Sequence, residues 1–353
     1  MQDVDQICIS PNDNLEKVIS IISHGGKRIA LVVDKDKKLL GTITDGDIRR
    51  ALLKKLNLNV KASRVMNSQP ITANQGSTFK LVKDLMIKNS LLQIPIVDSN
   101  NTLLGIETLH KDFSSKSYNN PIFIMAGGFG KRLRPLTYNI PKPLLKVGDK
   151  PILENIINNF IEYGFKNFYI SLHYKGEMIR EYFQDGSKWG VQISYVEESE
   201  PLGTAGALSL LPENLPNLPI IVMNADLMTK LDLEALLNFH NENTSDATVC
   251  VREYDFQVPF GVVESLDNKV MKIIEKPIQS FFVNAGVYVI NREQIFASNK
   301  PTYLDMPNFL ESIIKRNKKV NMFPIHEYWL DIGQKEQFHR ANNEYDDMKG
   351  GPY

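Results

Sequence analysis

Apolar residues recur along this chain in two periods, and the switches between them mark its elements. In the first third, Leu15, Val18, Ile19 and Ile22 fall at helical spacing, as do Leu81, Val82, Leu85 and Met86. Gly25 and Gly26 are placed to close the first of these helices. Each stripe is followed by a short apolar run, Ile29 to Val33 or Ile94 to Val97, that reads as a strand. Asp-Lys-Asp-Lys and Asp-Ser-Asn-Asn then supply hairpin turns. Residues 9–41 and 71–105 match each other, and each copy ends in Gly-x-x-Thr, Gly41 to Thr44 and Gly105 to Thr108. The pattern predicts two copies of one unit, neither large enough to be comfortable alone.

From Ile122 onward strands and helices alternate. Ile122 to Met125 predicts a buried strand, and Ile152, Leu153, Ile156, Ile157, Phe160 and Ile161 form a helical stripe stopped by Gly164. Strands are expected at Phe168–Leu172, Val191–Val196 and Ile220–Met223, and helices at Glu177–Phe183, from Thr204, at Leu233–His240 and at Gln334–Tyr345. MKGGPY reads as a loose tail. Such alternation predicts an α/β domain on a parallel sheet. Phe113 to Pro121 is polar and lacks periodicity. The expected organisation is therefore an N-terminal module over residues 1–116, with repeats at about 1–58 and 61–116, a linker at 117–121 and a larger domain over 122–353.

Composition changes this picture little. The 353 residues are 42% hydrophobic and 23% charged, ordinary for a globular protein of two or three domains. Lysine plus arginine equals aspartate plus glutamate at 41 each, so no bulk basic field favours nucleic acid or an anionic membrane. MQDVDQICIS lacks a basic segment followed by an apolar core, and no apolar run is long enough to span a bilayer, which makes cytoplasm the expected location. Cys8 and Cys250 stand without a CxxC or a histidine at ligand spacing, and read as reduced thiols in buried or half-buried strands.

The chemistry concentrates in Pro121 to Leu153. The predicted strand empties into a loop with Gly127, Gly128, Gly130, Lys131, Arg132 and Arg134. Glycines let backbone N–H groups approach an anion, and the cations neutralise charge that those groups alone cannot. In Pro141-Lys142-Pro143 the prolines restrict where the Lys142 ammonium can go, and a helix is expected next. The loop is not a Walker A motif, because Gly130-Lys131 is followed by Arg132, and it lacks the third glycine of a dinucleotide fingerprint. Kinase and dehydrogenase readings fall accordingly. Ligands of such sheets gather at the carboxyl ends of strands, where this loop and the turn Asn224-Ala225-Asp226 both fall.

Two resemblances follow from these residues. Residues 1 to about 116 resemble a tandem pair of cystathionine-beta-synthase domains, the Bateman module, most strongly in GTITDGDI, Gly41 to Ile48. The resemblance implies an adenine nucleotide held by Thr44 and Asp47. In the second copy Thr108 is kept, but Lys111 stands at the aspartate position and Asp112 comes one place late. Packing or dimerisation is the alternative role, and a homo-oligomer is expected.

AGGFGKRLRPLT, PKPLL, PLGTAGAL, Asn-Ala-Asp, FGVVE, EKP, NAGVYV and WLDIG occur in the order found in sugar-nucleotide pyrophosphorylases. This resemblance covers residues 122 to about 345 and implies a Rossmann-like nucleotidyltransferase domain with a mixed, mostly parallel sheet. It also implies a reaction, attack of a sugar 1-phosphate on the α-phosphorus of a nucleoside triphosphate. Arg132 would then grip the triphosphate tail and Lys142 the α-phosphate, with Asp226 and Asp331 binding magnesium. Nucleotide-binding positions fall on Ala126, Gly127, Gly128, Gly130, Glu198, Gly203 and Thr204, and sugar-phosphate positions on Gly261, Glu275, Lys276 and Asn284. Glu198 stands where thymidylyl and uridylyl relatives carry glutamine, and an acceptor-only carboxylate suits the paired donors of guanine, so GTP is the expected donor. The fusion of both parts resembles glucosamine-1-phosphate guanylyltransferases of bacterial legionaminic acid pathways. Mannose or heptose 1-phosphate, a uridylyl or thymidylyl enzyme, and a non-catalytic sugar-nucleotide sensor are the alternatives.

Overall fold

The computed structural model describes residues 4–24, 28–89, 91–109, 117–297 and 302–345. The expected helix stop at Gly25 and Gly26, the residues Lys111 and Asp112, the start of the polar connection and the MKGGPY tail lie outside these. The chain divides into two compact units, Met1–Lys116 with Asn343–Tyr353, and Ser117–Asn342. No described helix is long and apolar enough to cross a membrane.

In the first unit the repeat is visible as topology. The first copy comprises β1 (Cys8–Ile9), α1 (Leu15–His24), β2 (Ile29–Val33), β3 (Leu39–Thr44) and α2 (Asp45–Leu53). The second has β4 (Ala73–Asn74), α3 (Phe79–Lys88), β5 (Gln93–Val97) and β6 (Leu103–Thr108). In both, a short strand runs parallel to the central strand and the third runs antiparallel to it. Both hairpins bulge at the same place, between Val32 and Val33 and between Ile96 and Val97. The copies meet at their turns, where Leu39 N donates to Asn101 O at 3.0 Å and Leu103 N donates to Lys37 O at 2.9 Å. These are equivalent positions exchanging equivalent bonds, and Lys37 and Asn101 share a left-handed φ of 57° and 62°. Ile29, Leu31 and Leu39 pack with Val97, Leu103 and Ile106 in one shared core. In α3 the buried stripe is Val82 and Met86 with Leu85 beside it, whereas Leu81, counted in the predicted stripe, is exposed.

The second unit is built on a seven-stranded mixed sheet. Its early elements are β7 (Ile122–Met125), the hairpin β8 (Lys146–Val147) and β9 (Lys150–Pro151), α4 (Ile152–Glu162), β10 (Asn167–Leu172), α5 (Gly176–Phe183) and β11 (Gln192–Glu197). Then come α6 (Gly203–Gly206), β12 (Ile220–Asn224), β13 (Leu227–Thr229), α7 (Leu233–Glu242) and β14 (Ala247–Gln257). β15 (Val262–Leu266), β16 (Lys269–Ile274), β17 (Ile278–Ile290), α8 (Arg292–Ile295), α9 (Met306–Lys315), β18 (Val320–Ile325), β19 (Trp329–Asp331) and α10 (Lys335–Asn343) complete it. The sheet order is β11-β10-β7-β12-β17-β14-β18. The first four strands are mutually parallel, and β17 runs antiparallel to both of its neighbours. The helix expected after Pro143 begins at Ile152, because a 3-10 turn over Lys142–Leu144 and the β8–β9 hairpin come first.

β7 is an interior strand, and Phe123 lies fully buried on it among Val196, Val222, Tyr288 and Ile313. On α4 Phe160 meets Phe165 and Phe168 edge-on at 5.7 and 6.0 Å between ring centroids. β14 and β17 run on past the sheet as a two-stranded ribbon that carries the β15–β16 hairpin, with Tyr254, Phe256 and Phe281 exposed along it. Cys250 is buried in β14 and Cys8 half-buried in β1, both as free thiols.

Truncating Phe123 removes the ring that fills the centre of this sheet's core. Phe123→Ala is expected to lower stability by about 3–5 kcal/mol, read from urea unfolding, and a loss below about 1 kcal/mol would contradict the packing described.

Candidate active site

A cleft of about 490 Å³ opens where β7, β10 and β12 end, and the glycine loop from Ala126 to Arg132 forms one wall of it. The loop folds back on itself. Gly130 takes a left-handed φ of 61°, and a Cβ there would stand 3.0 Å from the Thr137 methyl and 3.3 Å from Lys142 Cβ. The buried Thr137 hydroxyl donates to Gly130 O at 2.8 Å and closes the loop. Phe129 lies edge-on to His173, with the Lys131 ammonium 5.2 Å from its ring centroid.

Charge is concentrated at the floor. β13 pairs antiparallel with β19, setting Leu227 opposite Asp331, and Ile332 N donates to Asp226 O at 3.0 Å. Two three-residue strands thus bring together aspartates that are remote in sequence. Lys142 ion-pairs with Asp226 Oδ2. Oδ1 of Asp226 and Oδ1 of Asp331 are both buried without a hydrogen-bond partner. Burial, and then the neighbouring Asp226, push the Asp331 carboxyl above its ordinary pKa, while Lys142 and Arg132 pull it down. Arg132 and Asp331 flank Gly333, where a Cβ would lie 3.5 Å from Arg132 Nη1 and 3.4 Å from Asp331 Oδ1.

Orphaned carboxylate oxygens are costly unless something cationic meets them. The donor set suits a hard divalent cation: two carboxylates beside a phosphate cradle leave coordination positions for water and phosphate oxygens. Among the described residues no group of three or more histidine, cysteine or acidic side chains could hold a metal.

Beside the glycine loop, Glu198 also lines the cleft. Its Oε2 accepts from Leu202 N at 3.1 Å, and its backbone oxygen lies 2.9 Å from His173 Nδ1. A Cβ on Gly127 would stand 2.7 Å from Glu198 Oε1, so a larger residue there would make the carboxylate shift. Glu197, one residue earlier, points away to Arg180. Gly203 and Thr204 line the cleft, but the polar atoms of Thr204 are bonded to Asp305 and Met306.

The cleft thus gathers Ala126, Gly127, Gly128, Gly130, Arg132, Lys142, Glu198, Gly203, Thr204, Asp226 and Asp331. It does not gather the four sugar-side positions. Gly261, Glu275, Lys276 and Asn284 are outside its lining and exposed. Gly261 lies against Glu275, Lys276 has a left-handed φ of 45°, and Asn284 Oδ1 accepts from Gly286 N at 2.9 Å. Asn224 and Gly333 line the cleft from the Asn224-Ala225-Asp226 turn and the WLDIG motif, whereas Ser171 and, behind the lining, His173 are residues that the sequence reading does not name. Ser171 carries a usable signal, since it nearly ends β10 and ligands of such sheets gather at the carboxyl ends of strands.

In the N-terminal unit, Thr44 and Asp47 form a capping box on α2. Asp47 Oδ2 accepts from Thr44 N at 2.8 Å and from its hydroxyl at 2.7 Å, and Oδ1 pairs with Arg50. In the second copy the Thr108 hydroxyl is buried without a hydrogen-bond partner.

Residues 2–54 and 62–106 match the CBS domain, and residues 122–348 match the family described as nucleotidyl transferase. The mannose-1-phosphate guanyltransferase of Pichia angusta is 34% identical over 224 residues, 61% of this chain and 61% of its own length. That of Saccharomyces cerevisiae is 32% identical over 224 residues, 61% of this chain and 62% of its own. The chain therefore spans about three fifths of the length of these curated relatives. The crystal structure of HddC from Yersinia pseudotuberculosis complexed with GMP-PN superposes with a TM-score of 0.52 at 25% identity, over 64% of this chain and 99% of that one. With residues 122–348 matched, well over half of its length, the chain belongs to the nucleotidyl transferase family.

Proposed function

We propose that this chain is a sugar-1-phosphate guanylyltransferase, transferring GMP from GTP to a sugar 1-phosphate with release of pyrophosphate. The observation that carries the reading is the floor of the cleft, where Arg132, Lys142, Asp226 and Asp331 converge beneath a glycine loop. Two polyanions must meet in this reaction, so the protein's work is charge neutralisation and in-line alignment. A phosphate oxygen of the sugar phosphate attacks the α-phosphorus as the bond to the β-phosphate bridging oxygen breaks. The nucleophile is already anionic, so no general base is required. In this reading the glycine-loop N–H groups and Arg132 hold the leaving pyrophosphate. Lys142 meets the α-phosphate, its ammonium kept in place by Asp226. Magnesium held by Asp226 and Asp331 would supply Lewis-acid neutralisation of phosphate charge.

Guanine preference is supported by Glu198, an acceptor-only group held over Gly127. For the sugar, glucosamine 1-phosphate is the first choice, Asn284 and Glu275 being suited to an amine. Mannose 1-phosphate is the second reading, favoured by the names of the relatives from Pichia angusta and Saccharomyces cerevisiae. Asn284, at the base of the exposed ribbon, and Gly261, Glu275 and Lys276, beyond its far end, are proposed to meet the sugar phosphate. Thr44 and Asp47 are proposed to take an adenine nucleotide, which requires Asp47 to exchange its bonds to Thr44 or Arg50 for bonds to the ligand. The enzyme is proposed to act in the cytoplasm as a homo-oligomer, its N-terminal module over 1–116 regulating the domain over 122–353.

Pyrophosphate release measured with GTP, UTP, dTTP, CTP and ATP against glucosamine, mannose and heptose 1-phosphates is expected to be fastest with GTP and glucosamine 1-phosphate. AMP or ATP should change that rate, and equal use of UTP or dTTP would refute guanylyl transfer. Asp226→Asn at saturating magnesium should cost about 10²–10³ in turnover with the fold intact by circular dichroism, and a near-normal rate would sink the metal assignment. Glu198→Gln should shift nucleotide selectivity toward UTP, measured as the ratio of kcat/KM for GTP and UTP; an unmoved ratio would exclude Glu198 as the base reader.

A further inference from the structure

Two short stretches about a hundred residues apart trade the caps of their helices. Asp305 precedes α9 but does not cap it. Its Oδ1 instead accepts from Thr204 N at 3.3 Å and lies 3.5 Å from the Thr204 hydroxyl. In return the Thr204 hydroxyl oxygen accepts from Met306 N, the first amide of α9, at 2.7 Å. Backbone bonds surround the exchange. Leu304 N donates to Leu202 O at 2.9 Å, and Leu304 O accepts from Ala205 N at 2.8 Å and Gly206 N at 3.0 Å. The approach is close enough to demand glycine, since a Cβ on Gly203 would stand 2.7 Å from Leu304 O and one on Gly206 2.5 Å from Thr302 O. Tyr303 holds the other oxygen of Asp305 through its hydroxyl at 2.9 Å.

The amides of Thr204, Ala205 and Gly206 are therefore spent on residues 304 and 305, and this turn walls the cleft without offering them to an anion. Its effect falls on Leu202 instead. That residue accepts from Leu304 N with its carbonyl and donates its own N–H to Glu198 Oε2. Asp305 is not among the residues lining the cleft, and it reaches the cleft wall through Thr204, which it bonds, and through the adjoining Leu304, whose N–H bonds Leu202 O.

We propose that Asp305 is a positioning residue for base selection, fixing through Thr204 and Leu202 where the Glu198 carboxylate stands over Gly127. The inference rests on Glu198 reading the base. Its test uses the full chain with magnesium and measures Kd for GTP and for UTP by calorimetry in Asp305→Ala, Asp305→Asn and Glu198→Gln. Asp305→Ala should weaken GTP about tenfold and UTP by less than about threefold, from loss of a charge-assisted bond. Asp305→Asn, whose amide oxygen still accepts from Thr204 N, should keep GTP within about threefold of the parent. Thermal unfolding of the variants separates a general loss of fold from this pattern. Unchanged GTP affinity in Asp305→Ala, equal weakening of GTP and UTP, or an Asn variant as weak as the Ala variant overturns the proposal. If Glu198→Gln shifts selectivity while Asp305→Ala does not, the latch fails alone; if Glu198→Gln shifts nothing, the base reader itself is wrong.

Discussion

Two carboxylates that repel each other are held at the end of the central sheet, and the arrangement of the second unit follows from keeping them there. Asp226 immediately precedes one three-residue strand and Asp331 ends the other, and such strands are too short to hold by their own hydrogen bonds. Their neighbours do the holding: Asp226 leaves the buried strand β12, and Ile332, fully buried, bonds back to the Asp226 carbonyl. Lys142 and Arg132 offset the repulsion, and both belong to the segment that follows β7. The glycine loop that follows β7 and the aspartate pair are thus one electrostatic unit, with like charges tolerated because opposite charges are fixed around them.

The two substrates of the proposed reaction meet different kinds of structure. The wall proposed for the nucleotide is braced, with Glu198, Leu202 and the 203–206 turn tied by hydrogen bonds to one another, to β10 and to residues 304–306. The sugar-side residues sit on or beside a ribbon whose aromatic and aliphatic side chains are largely exposed.

What could be read from the sequence was what is encoded locally. The glycine loop, the Asn224-Ala225-Asp226 turn and the repeat are contiguous patterns whose physics is contained in a few residues. The β13–β19 pairing was not legible, because three-residue strands carry no periodicity. Thr204 illustrates the other limit. Its place in the cleft followed from its motif, yet its hydroxyl and amide are committed to Asp305 and Met306, partners set by the tertiary fold. Leu81 failed for a simpler reason, since apolar character adjacent to a helical stripe does not by itself fix which side of the stripe is buried.

The reciprocal bonds between the two N-terminal repeats carry a consequence for their divergence. Leu39 bonds to Asn101 and Leu103 to Lys37, each turn serving as the other's acceptor. Adding or deleting one residue in either turn would shift both bonds out of register and turn a strand's inward side chains outward. Side chains in the two copies are free to drift apart, as Lys111 already has from Asp47. The lengths of the two turns are not, and they form one inherited quantity.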